Sequence, residues 1–385
     1  MPVIAVVHPN MMSAGGAESF AMVVLEALPW IDPTWKEKAR IVFITDGKVD
    51  FKALNEKFDN NVDAENICVV HPFLCSMVGK LEHRIHLFAN LELALFSRCV
   101  KKHLDEYDMV VSTKGEMDIG KPGIQIMPHI PSMQGKAYGW LLRCLGRDEK
   151  NIKKNITICH SKYIQNGYDA IYGGGKSYVI DPPIRKCPKN KEWGERENGF
   201  LVVGRIDKEK ETDKAIELID KVREHLPDAH LHIIGAGKGR YYRRIEQMAK
   251  DRDYVYLEGF VTTERYFEII TSHKYAVHMR EGEPAAVTIR ELIDGGTIPF
   301  GHYSGGNIEL LPNELLFNYG KFGELTISNA AYKIAEVLKD ERLQKTLLQE
   351  LKKIKLNDRG EWKKQFERIV NEEKKEDNKD KDSKR

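Results

Sequence analysis

The feature that most constrains the fold of this chain is a regular alternation of short apolar segments, rich in valine and isoleucine, with longer segments of helical pattern. The apolar segments of the first half lie at 3–9, 40–45, 66–72, 109–113, 124–131, 156–161 and 178–183. Those of the second half lie at 199–204, 230–235, 254–260, 275–279, 297–302 and 315–320. Strands that alternate with helices form parallel sheets, and near-continuous apolar strands are buried on both faces. The pattern therefore predicts an α/β fold.

The chain of 385 residues is too long for one ordinary hydrophobic core, which favours two domains. Proline and charged residues dominate 181–198, where no periodic pattern is present. We therefore predict an N-terminal domain over 1–184, a linker over 185–198 and a C-terminal domain over 199–359. Both are expected to be doubly wound, Rossmann-like parallel sheets that face each other across a cleft, with ligands bound beyond the carboxyl ends of the strands.

Composition excludes several classes of protein. Hydrophobic residues make up 42% and charged residues 31% of the chain, and the net charge of +2 gives no electrostatic case for nucleic acid. No apolar run approaches the roughly 20 residues of a membrane span, and the first segment lacks the basic leader of a secretory signal. The six cysteines form no C-x-x-C pair, which predicts a reduced, cytoplasmic protein. The charged tail at 371–385 has no apolar residue and is predicted to be disordered.

Two loops that follow apolar segments carry groups suited to an anion. Gly15 and Gly16 precede a helix start, where free backbone N–H groups can bind an anion, although an ordinary strand-to-helix turn explains them equally well. Arg205 and Lys210 follow the segment 199–204 and could clamp a diphosphate. For this loop alone, a solvated charged turn is the favoured explanation.

Two glutamates, Glu283 and Glu291, bracket a short helical run. Pro284 suits the first helical position, and Gly295-Gly296 can end the helix in a left-handed cap. On a straight helix the two glutamates would lie about 12 Å apart, beyond the roughly 5–9.5 Å of a glycosidase pair. If both are functional, they contact different parts of one long ligand.

A fourth glycine-rich loop contains Gly305, Gly306 and Glu309, so that four loops together suggest an extended anionic ligand. The sequence GAGKGR at 235–240 lacks the third glycine of a dinucleotide fingerprint, which argues against a dehydrogenase. The thirteen histidines show no metal-ligand spacing, so no metal site is predicted.

Together these residues resemble the pattern of retaining glycosyltransferases of family 4, which have the GT-B fold. The family has a Gly-Gly-Ala-Glu loop, then Gly-Arg with a lysine five residues after the arginine, then two glutamates followed by Gly-x-x-Pro, and finally Gly-Gly-x-x-Glu. The matching residues are Gly15 to Glu18, Gly204, Arg205, Lys210, Glu283, Glu291, Gly296, Pro299, Gly305, Gly306 and Glu309. The resemblance spans about 1–370, and it implies that a last helix, at 360–370, packs back on the N-terminal domain.

The chain departs from the family at two places. Glu211 stands where the lysine is commonly followed by glycine, and Pro284-Ala285-Ala286 stands where the first glutamate is usually followed by Gly-Phe-Gly or a similar run.

The resemblance also implies roles for the matched residues. Glu291 would hold the ribose hydroxyls and Glu283 the hydroxyls of the transferred sugar, while Arg205 and Lys210 would neutralise the leaving diphosphate without a metal or other cofactor. Gly15, Gly16 and Glu309 would also belong to the donor site. His129 matches a histidine that the family places near the sugar and the acceptor, and its position at a strand end favours that role over a structural one.

The sequence also suggests a substrate. The PHIP and GHYSGG segments are most similar to the branch that extends lipid-linked oligosaccharides from GDP-mannose, with a UDP-sugar as the rival donor. The implied activity is transfer of a hexose, mannose favoured, to a glycan or polyprenyl-linked acceptor. There are two alternatives. The first is a catalytically silent GT-B protein that binds a nucleotide, and the second is a sugar-nucleotide epimerase.

The segment 136–154 could contact a membrane peripherally, on its cytoplasmic face. Tyr138, Leu141, Leu142 and Leu145 have helical spacing and are flanked by basic residues, as in interfacial helices. A core-facing helix with a solvated basic side is the more common explanation of such a pattern.

Overall fold

The computed structural model describes residues 1–13, 15–78, 89–131, 136–189, 191–319 and 326–382. The chain divides into two compact units, the first formed by Met1–Pro183 with Arg359–Arg385 and the second by Ile184–Asp358. Each unit is built on a parallel sheet with helices on its faces, which confirms the predicted α/β fold. Among the described helices, none has the length and apolar character needed to cross a membrane.

The first unit contains a seven-stranded sheet with the order β3-β2-β1-β4-β5-β6-β7. Its strands are β1 Val3–Val7, β2 Arg40–Ile44, β3 Ile67–Val70, β4 Met109–Ser112, β5 Ile124–Met127, β6 Ile156–Cys159 and β7 Ser177–Val179. Its labelled helices are α1 Gly16–Ala27, α2 Phe51–Phe58, α3 Ala89–Lys102, α4 Lys136–Cys144, α5 Glu149–Ile152, α6 Lys162–Tyr172 and, after the second unit, α14 Arg359–Asp382. Residues 73–78 are also helical.

The central strand β1 shows why the sheet is covered on both faces. Successive side chains of a strand point to opposite faces. Val6 packs in one apolar cluster with Phe43 and Trp362, while its neighbour Val7 packs in a second cluster with Phe96. A strand without polar side chains on either face therefore specifies two helical layers.

The second unit contains a six-stranded sheet with the order β10-β9-β8-β11-β12-β13. Its strands are β8 Glu197–Val203, β9 His230–Ile234, β10 Val255–Gly259, β11 His273–His278, β12 Ile298–His302 and β13 Leu316–Phe317. Its helices are α7 Thr212–Val222, α8 Gly239–Lys250, α9 Thr263–Ser272, α10 Val287–Asp294, α11 Asn307–Leu310, α12 Ile327–Lys339 and α13 Glu341–Leu351. Parallel pairing of β8 with both β9 and β11 brings the carboxyl ends of these strands to one edge of the sheet.

The segment predicted as a linker, 185–198, instead forms part of the second unit. Arg185 pairs with Glu291, and Lys186 contacts Asp294 at 3.0 Å. The charged residues Arg185 and Lys186 therefore form ion pairs with α10. The end of the segment is also not a linker, because β8 begins at Glu197.

The charged tail also differs from its prediction of disorder. Helix α14 continues past Asn371 to Asp382, and Lys374 pairs with Asp32 at 2.8 Å. Glu373 is buried and contacts both Lys176, at 2.7 Å, and the Tyr178 hydroxyl. These contacts with the first unit hold polar residues in a helix that composition alone would not predict.

Candidate active site

Glu283 lies in the turn that joins β11 to α10, at the carboxyl edge of the second sheet. Helix α10 begins at Val287, so Pro284 is not its first residue and the straight-helix separation does not apply to Glu283 and Glu291. The end of the helix is as predicted, since Gly296 has a positive φ of 74°. Glu283 is therefore positioned by a loop, whereas Glu291 belongs to the helix.

Three cationic or hydrogen-bonding side chains surround the buried Glu283 carboxylate. Lys210 Nζ and His278 Nε2 each lie 2.9 Å from Glu283 Oε2, and Arg280 Nη1 lies 3.6 Å from the same oxygen. Lys210 follows β8, and His278 ends β11. Adjacent parallel strands thus bring together residues that are 73 positions apart in the chain.

The ionisation of this cluster follows from its contacts. Burial raises the pKa of Glu283, but the hydrogen bond with His278 and the Lys210 ammonium together lower it by more. The pKa of Glu283 therefore lies well below its ordinary value. Burial lowers the pKa of His278 more than Glu283 raises it. At neutral pH the site therefore holds an ionised carboxylate, a charged lysine and a neutral imidazole that donates through Nε2.

The glycine-rich loop after β12 fixes the backbone of Glu283. Gly306 N donates to Glu283 O at 2.7 Å. A Cβ on Gly305 would lie 2.4 Å from the same oxygen, and the φ of Gly305 is +63°. Because a larger residue would displace the Glu283 turn, this loop requires glycine for close backbone packing.

The second predicted glutamate, Glu291, has different partners. Arg185 Nε lies 3.0 Å from Glu291 Oε1, and the Tyr266 hydroxyl donates to Oε2 at 2.7 Å. Burial and the Glu291 carboxylate raise the pKa of Tyr266 well above its ordinary value, so the phenol remains a donor. Arg185 also lies over the Tyr266 ring, 4.8 Å from its centroid. These contacts orient the Glu291 carboxylate, which has lone pairs left to accept further hydrogen bonds.

The second unit thus presents two buried carboxylates with separate cationic partners. A carboxylate accepts hydrogen bonds from sugar hydroxyls, and an adjacent ammonium binds a phosphate. The site can therefore hold a neutral polyol beside an anion.

Residues 184–354 match the family model described as "Glycosyl transferases group 1". This range nearly coincides with the second unit. The second unit therefore matches this family model over almost its whole length. No curated protein matches the sequence of the chain significantly.

Solved structures are similar over the whole chain. The Anabaena protein HepE in complex with UDP and glucose is 14% identical, covers 96% of this chain and 99% of its own, and gives a TM-score of 0.65. WaaG, a glycosyltransferase involved in lipopolysaccharide biosynthesis, is 13% identical, with 95% and 99% coverage and a TM-score of 0.64. Sucrose-phosphate synthase from Thermosynechococcus elongatus is 14% identical, with 97% and 99% coverage and a TM-score of 0.64. The chain has the GT-B fold.

The remaining predicted residues of the second unit lie at the same sheet edge but outside the Glu283 cluster. Arg205 is exposed after β8 and lies 3.5 Å from Asp207. Glu309 is exposed in the first turn of α11. Of the two cations predicted to clamp a diphosphate, Lys210 alone contacts Glu283 in the described residues.

The backbone is left-handed at both places where the sequence departs from the family pattern. Glu211 has a φ of 48° and Ala286 a φ of 50°, and these are positions where the family commonly has glycine. A non-glycine residue in this conformation costs roughly 1–2 kcal/mol. These two turns therefore have a glycine-like conformation at residues that are not glycine. Tyr319 OH donates to the Glu211 carboxylate, which ties this turn to the segment after β13.

We expect Ala286→Gly to leave the protein about 1–2 kcal/mol more stable than Ala285→Gly, because only position 286 gains from relief of the left-handed conformation. Both alanines are buried, so the lost methyl contacts are matched. Denaturant unfolding of the two variants measures the difference. Equal stabilities would contradict the assigned strain.

Residues predicted from the first unit have a different environment. Gly15 N donates to Glu18 Oε2 at 2.8 Å, so this N–H serves a capping interaction within the chain, and Gly16 begins α1. His129 is exposed after β5. Among the contacts of the described residues, none joins His129 to Gly15 or Gly16.

Sequence reasoning missed the residues that contact the two glutamate carboxylates. His278 and Arg280 adjoin Glu283, and Arg185 and Tyr266 adjoin Glu291. His278 and Arg280 carried a signal, because they lie at the carboxyl end of the predicted segment 275–279. In the first unit, buried His8 also escaped notice, with Nδ1 2.8 Å from Thr113 Oγ1 and Nε2 3.5 Å from Glu18 Oε1.

The predicted membrane segment divides between core and surface. Leu142 is buried, whereas the adjacent Trp140 is 62% exposed and Leu141 39% exposed. The side chain of Tyr138 lies outside the described residues. Arg147 contacts Glu116 and the Tyr172 hydroxyl, so it belongs to the fold and not to a solvated basic face. The predicted apolar stripe is therefore not one continuous surface.

Proposed function

We propose that this protein is a hexosyltransferase that uses a nucleotide diphosphate sugar and retains the configuration at the transferred carbon. The observation that carries the proposal is the Lys210–Glu283 pair, at 2.9 Å, within the unit that matches the group 1 glycosyltransferase model. In a sugar nucleotide the transferred ring is bonded directly to the diphosphate. Its hydroxyls and its leaving group therefore require an acceptor and a cation side by side, as this pair supplies.

The charges of the pair suit the course of the reaction. As the bond between the sugar and the diphosphate breaks, its electron pair passes to the diphosphate and the sugar gains positive charge. The Lys210 ammonium stabilises the first change and the ionised Glu283 the second. We propose that the step proceeds without a metal, with Arg205 supplementing Lys210.

Glu291 is proposed to accept hydrogen bonds from the ribose hydroxyls. Arg185 and Tyr266 contact this carboxylate and fix its orientation. The roles of Glu309, Gly15, Gly16 and His129 remain predictions from the family resemblance.

The donor can be identified with a panel of UDP- and GDP-sugars, scored by thermal stabilisation and by release of nucleoside diphosphate. GDP-mannose is the donor suggested by the sequence. UDP-sugars are supported by similar structures, because HepE forms one complex with UDP and glucose and another with UDP-glucose. Stabilisation with diphosphate release by one donor is the expected result. No stabilisation by any nucleotide sugar would contradict the proposal.

The same panel separates the other candidate activities. Nucleotide binding without diphosphate release on any acceptor is expected of a catalytically silent protein. Conversion of UDP-GlcNAc without an acceptor is expected of an epimerase. The proximity of Lys210 and Glu283 favours transfer over both.

The acceptor is proposed to be a glycan or a polyprenyl-linked sugar, and the protein to act in the cytoplasm or at the cytoplasmic face of a membrane. Exposed Trp140 and Leu141 support a peripheral contact through 136–154. Flotation with anionic liposomes tests this contact, and a protein that remains unbound would exclude it.

A further inference from the structure

Three histidines meet at the amino-terminal edge of the second sheet, opposite to the edge that holds Lys210 and Glu283. His230 and His232 are two residues apart on β9 and therefore share one face. His273 begins β11. One possible ligand atom from each imidazole forms a group in which all atoms lie within 4.8 Å of one another.

The close approach of the His230 and His273 imidazoles depends on the strand that lies between β9 and β11. Strand β8 lies between β9 and β11, and its Gly199 pairs in register with His230. A Cβ at position 199 would lie 2.3 Å from His273 Cδ2 and 2.4 Å from His230 Nε2. Glycine therefore leaves the space in which two imidazoles from non-adjacent strands approach across the sheet.

The Nδ1 atom of each imidazole lies near an oxygen atom, as is common for histidines that bind a metal through Nε2. His232 Nδ1 lies 2.6 Å from Glu258 Oε1, and His273 Nδ1 lies 2.7 Å from the Ile269 carbonyl oxygen. His230 Nδ1 is 3.4 Å from the Asp228 carbonyl oxygen. A hydrogen bond at Nδ1 fixes the tautomer whose Nε2 lone pair is free for a metal.

Two of the three Nε2 atoms are buried. Within the described part of the chain, neither His230 Nε2 nor His273 Nε2 has a hydrogen-bond partner, and His273 is only 4% exposed. A buried polar atom without a partner costs roughly 1–3 kcal/mol.

We propose that His230, His232 and His273 bind a divalent transition-metal ion, with Zn²⁺ as the preferred ion. Imidazole suits Zn²⁺, and tetrahedral Zn–N bonds of about 2.0–2.1 Å place nitrogens roughly 3.4 Å apart. The rings would close by up to about 1.4 Å from the present separation, by side-chain rotation. Glu197 Oε2, 3.4 Å from His230 Nε2, can supply a fourth ligand.

Such an ion would connect β9 to β11 across β8 and stabilise the second unit. The site is separate from the Lys210–Glu283 pair, so it does not depend on the proposed transferase activity. Metal binding would be structural, and the transfer step would still proceed without a metal.

The test uses the full chain, freed of metal with a chelator and titrated with Zn²⁺ in competition with a chromophoric chelator. We expect one equivalent of tightly bound Zn²⁺. His230→Gln and His273→Gln should each weaken binding by more than about tenfold, and Glu258→Gln by about 10–100-fold. His225→Gln, at an exposed histidine of the same unit, should leave binding unchanged.

Two measurements keep the result interpretable if a ligand variant is unstable. Glu258→Gln retains all three imidazoles, and thermal unfolding of each metal-free variant shows whether it is folded. Co²⁺ in place of Zn²⁺ should give visible absorption bands that the His273→Gln variant loses. Absence of Zn²⁺ binding by the unmodified protein, or equal binding by the folded His230→Gln, His273→Gln and Glu258→Gln variants, would overturn the proposal.

Discussion

Replacement of Lys210 with methionine should lower turnover of the nucleotide sugar by about 10²–10³-fold. The ammonium lies 2.9 Å from Glu283 and is the cation proposed to stabilise the departing diphosphate. Methionine retains the length and apolar stem of lysine but removes the charge. Release of nucleoside diphosphate at saturating donor measures the effect.

Two controls separate this effect from a general loss of charge. Lys210→Arg retains a cation and should recover part of the activity, whereas Lys208→Met removes an exposed lysine from the same loop and should leave turnover unchanged. Equal activity of Lys210→Met and Lys208→Met would show that Lys210 does not act on the leaving group.

The lysine substitution should also change the response to acid. The lowered folded pKa of Glu283 means that its stabilising contribution is complete above its ordinary pKa of 4.5 and is lost as the pH falls through the folded pKa. Loss of the ammonium raises this folded pKa and reduces the contribution. The stability difference between Lys210→Met and the unmodified protein should therefore be largest near neutral pH and decrease toward low pH.

The largest expected effect on stability is that of Trp362→Ala, at about 3–5 kcal/mol. Trp362 is fully buried, stacks on Phe366 with centroids 4.8 Å apart and meets Phe20 edge-on at 5.0 Å. It anchors α14 to the first unit, so its removal leaves a large cavity between elements distant in sequence. Denaturant unfolding followed by far-UV circular dichroism measures the loss.

Nearby substitutions provide the comparison for Trp362. Trp362→Phe retains an aromatic ring and removes an indole N–H that has no hydrogen-bond partner among the residues described, so it should cost less stability than the alanine variant. Lys363→Ala changes an exposed neighbour and should stay within about 0.5 kcal/mol. A Trp362→Ala variant as stable as Lys363→Ala would contradict the packing of α14.

The strands of this fold could be predicted because burial on both faces leaves a strong local signal. Each predicted apolar segment, from 3–9 to 315–320, overlaps one strand of the structure. Boundaries governed by tertiary contacts could not be predicted in this way. Arg185 and Lys186 suggested a solvated linker but pair with α10, and Glu373 and Lys374 suggested a disordered tail but contact the first unit.

In the candidate site, too, local sequence motifs could be predicted, but contacts between distant segments could not. The order of Lys210, Glu283 and Glu291 along the chain suggested a common ligand, but the side chains that contact each glutamate come from segments that only the fold brings together. The three-histidine group was missed for this reason. His230 and His232 have no conspicuous spacing, and His273 joins them only through the register of β9, β8 and β11.

The central claim is that Glu283 contacts the transferred sugar and Glu291 the nucleotide, and paired affinity and turnover measurements on Glu283→Gln and Glu291→Gln test it most directly. Tyr266→Phe, which retains the Glu291 carboxylate, controls for structural disturbance. Glu291→Gln should weaken nucleoside diphosphate binding by about 1.5–3 kcal/mol, because ribose contacts are present in the ground state as well. Glu283→Gln should lower turnover and leave nucleoside diphosphate affinity nearly unchanged, because the diphosphate alone lacks the sugar. Equal loss of nucleotide affinity in both variants with turnover intact, or no change in either, would contradict the account.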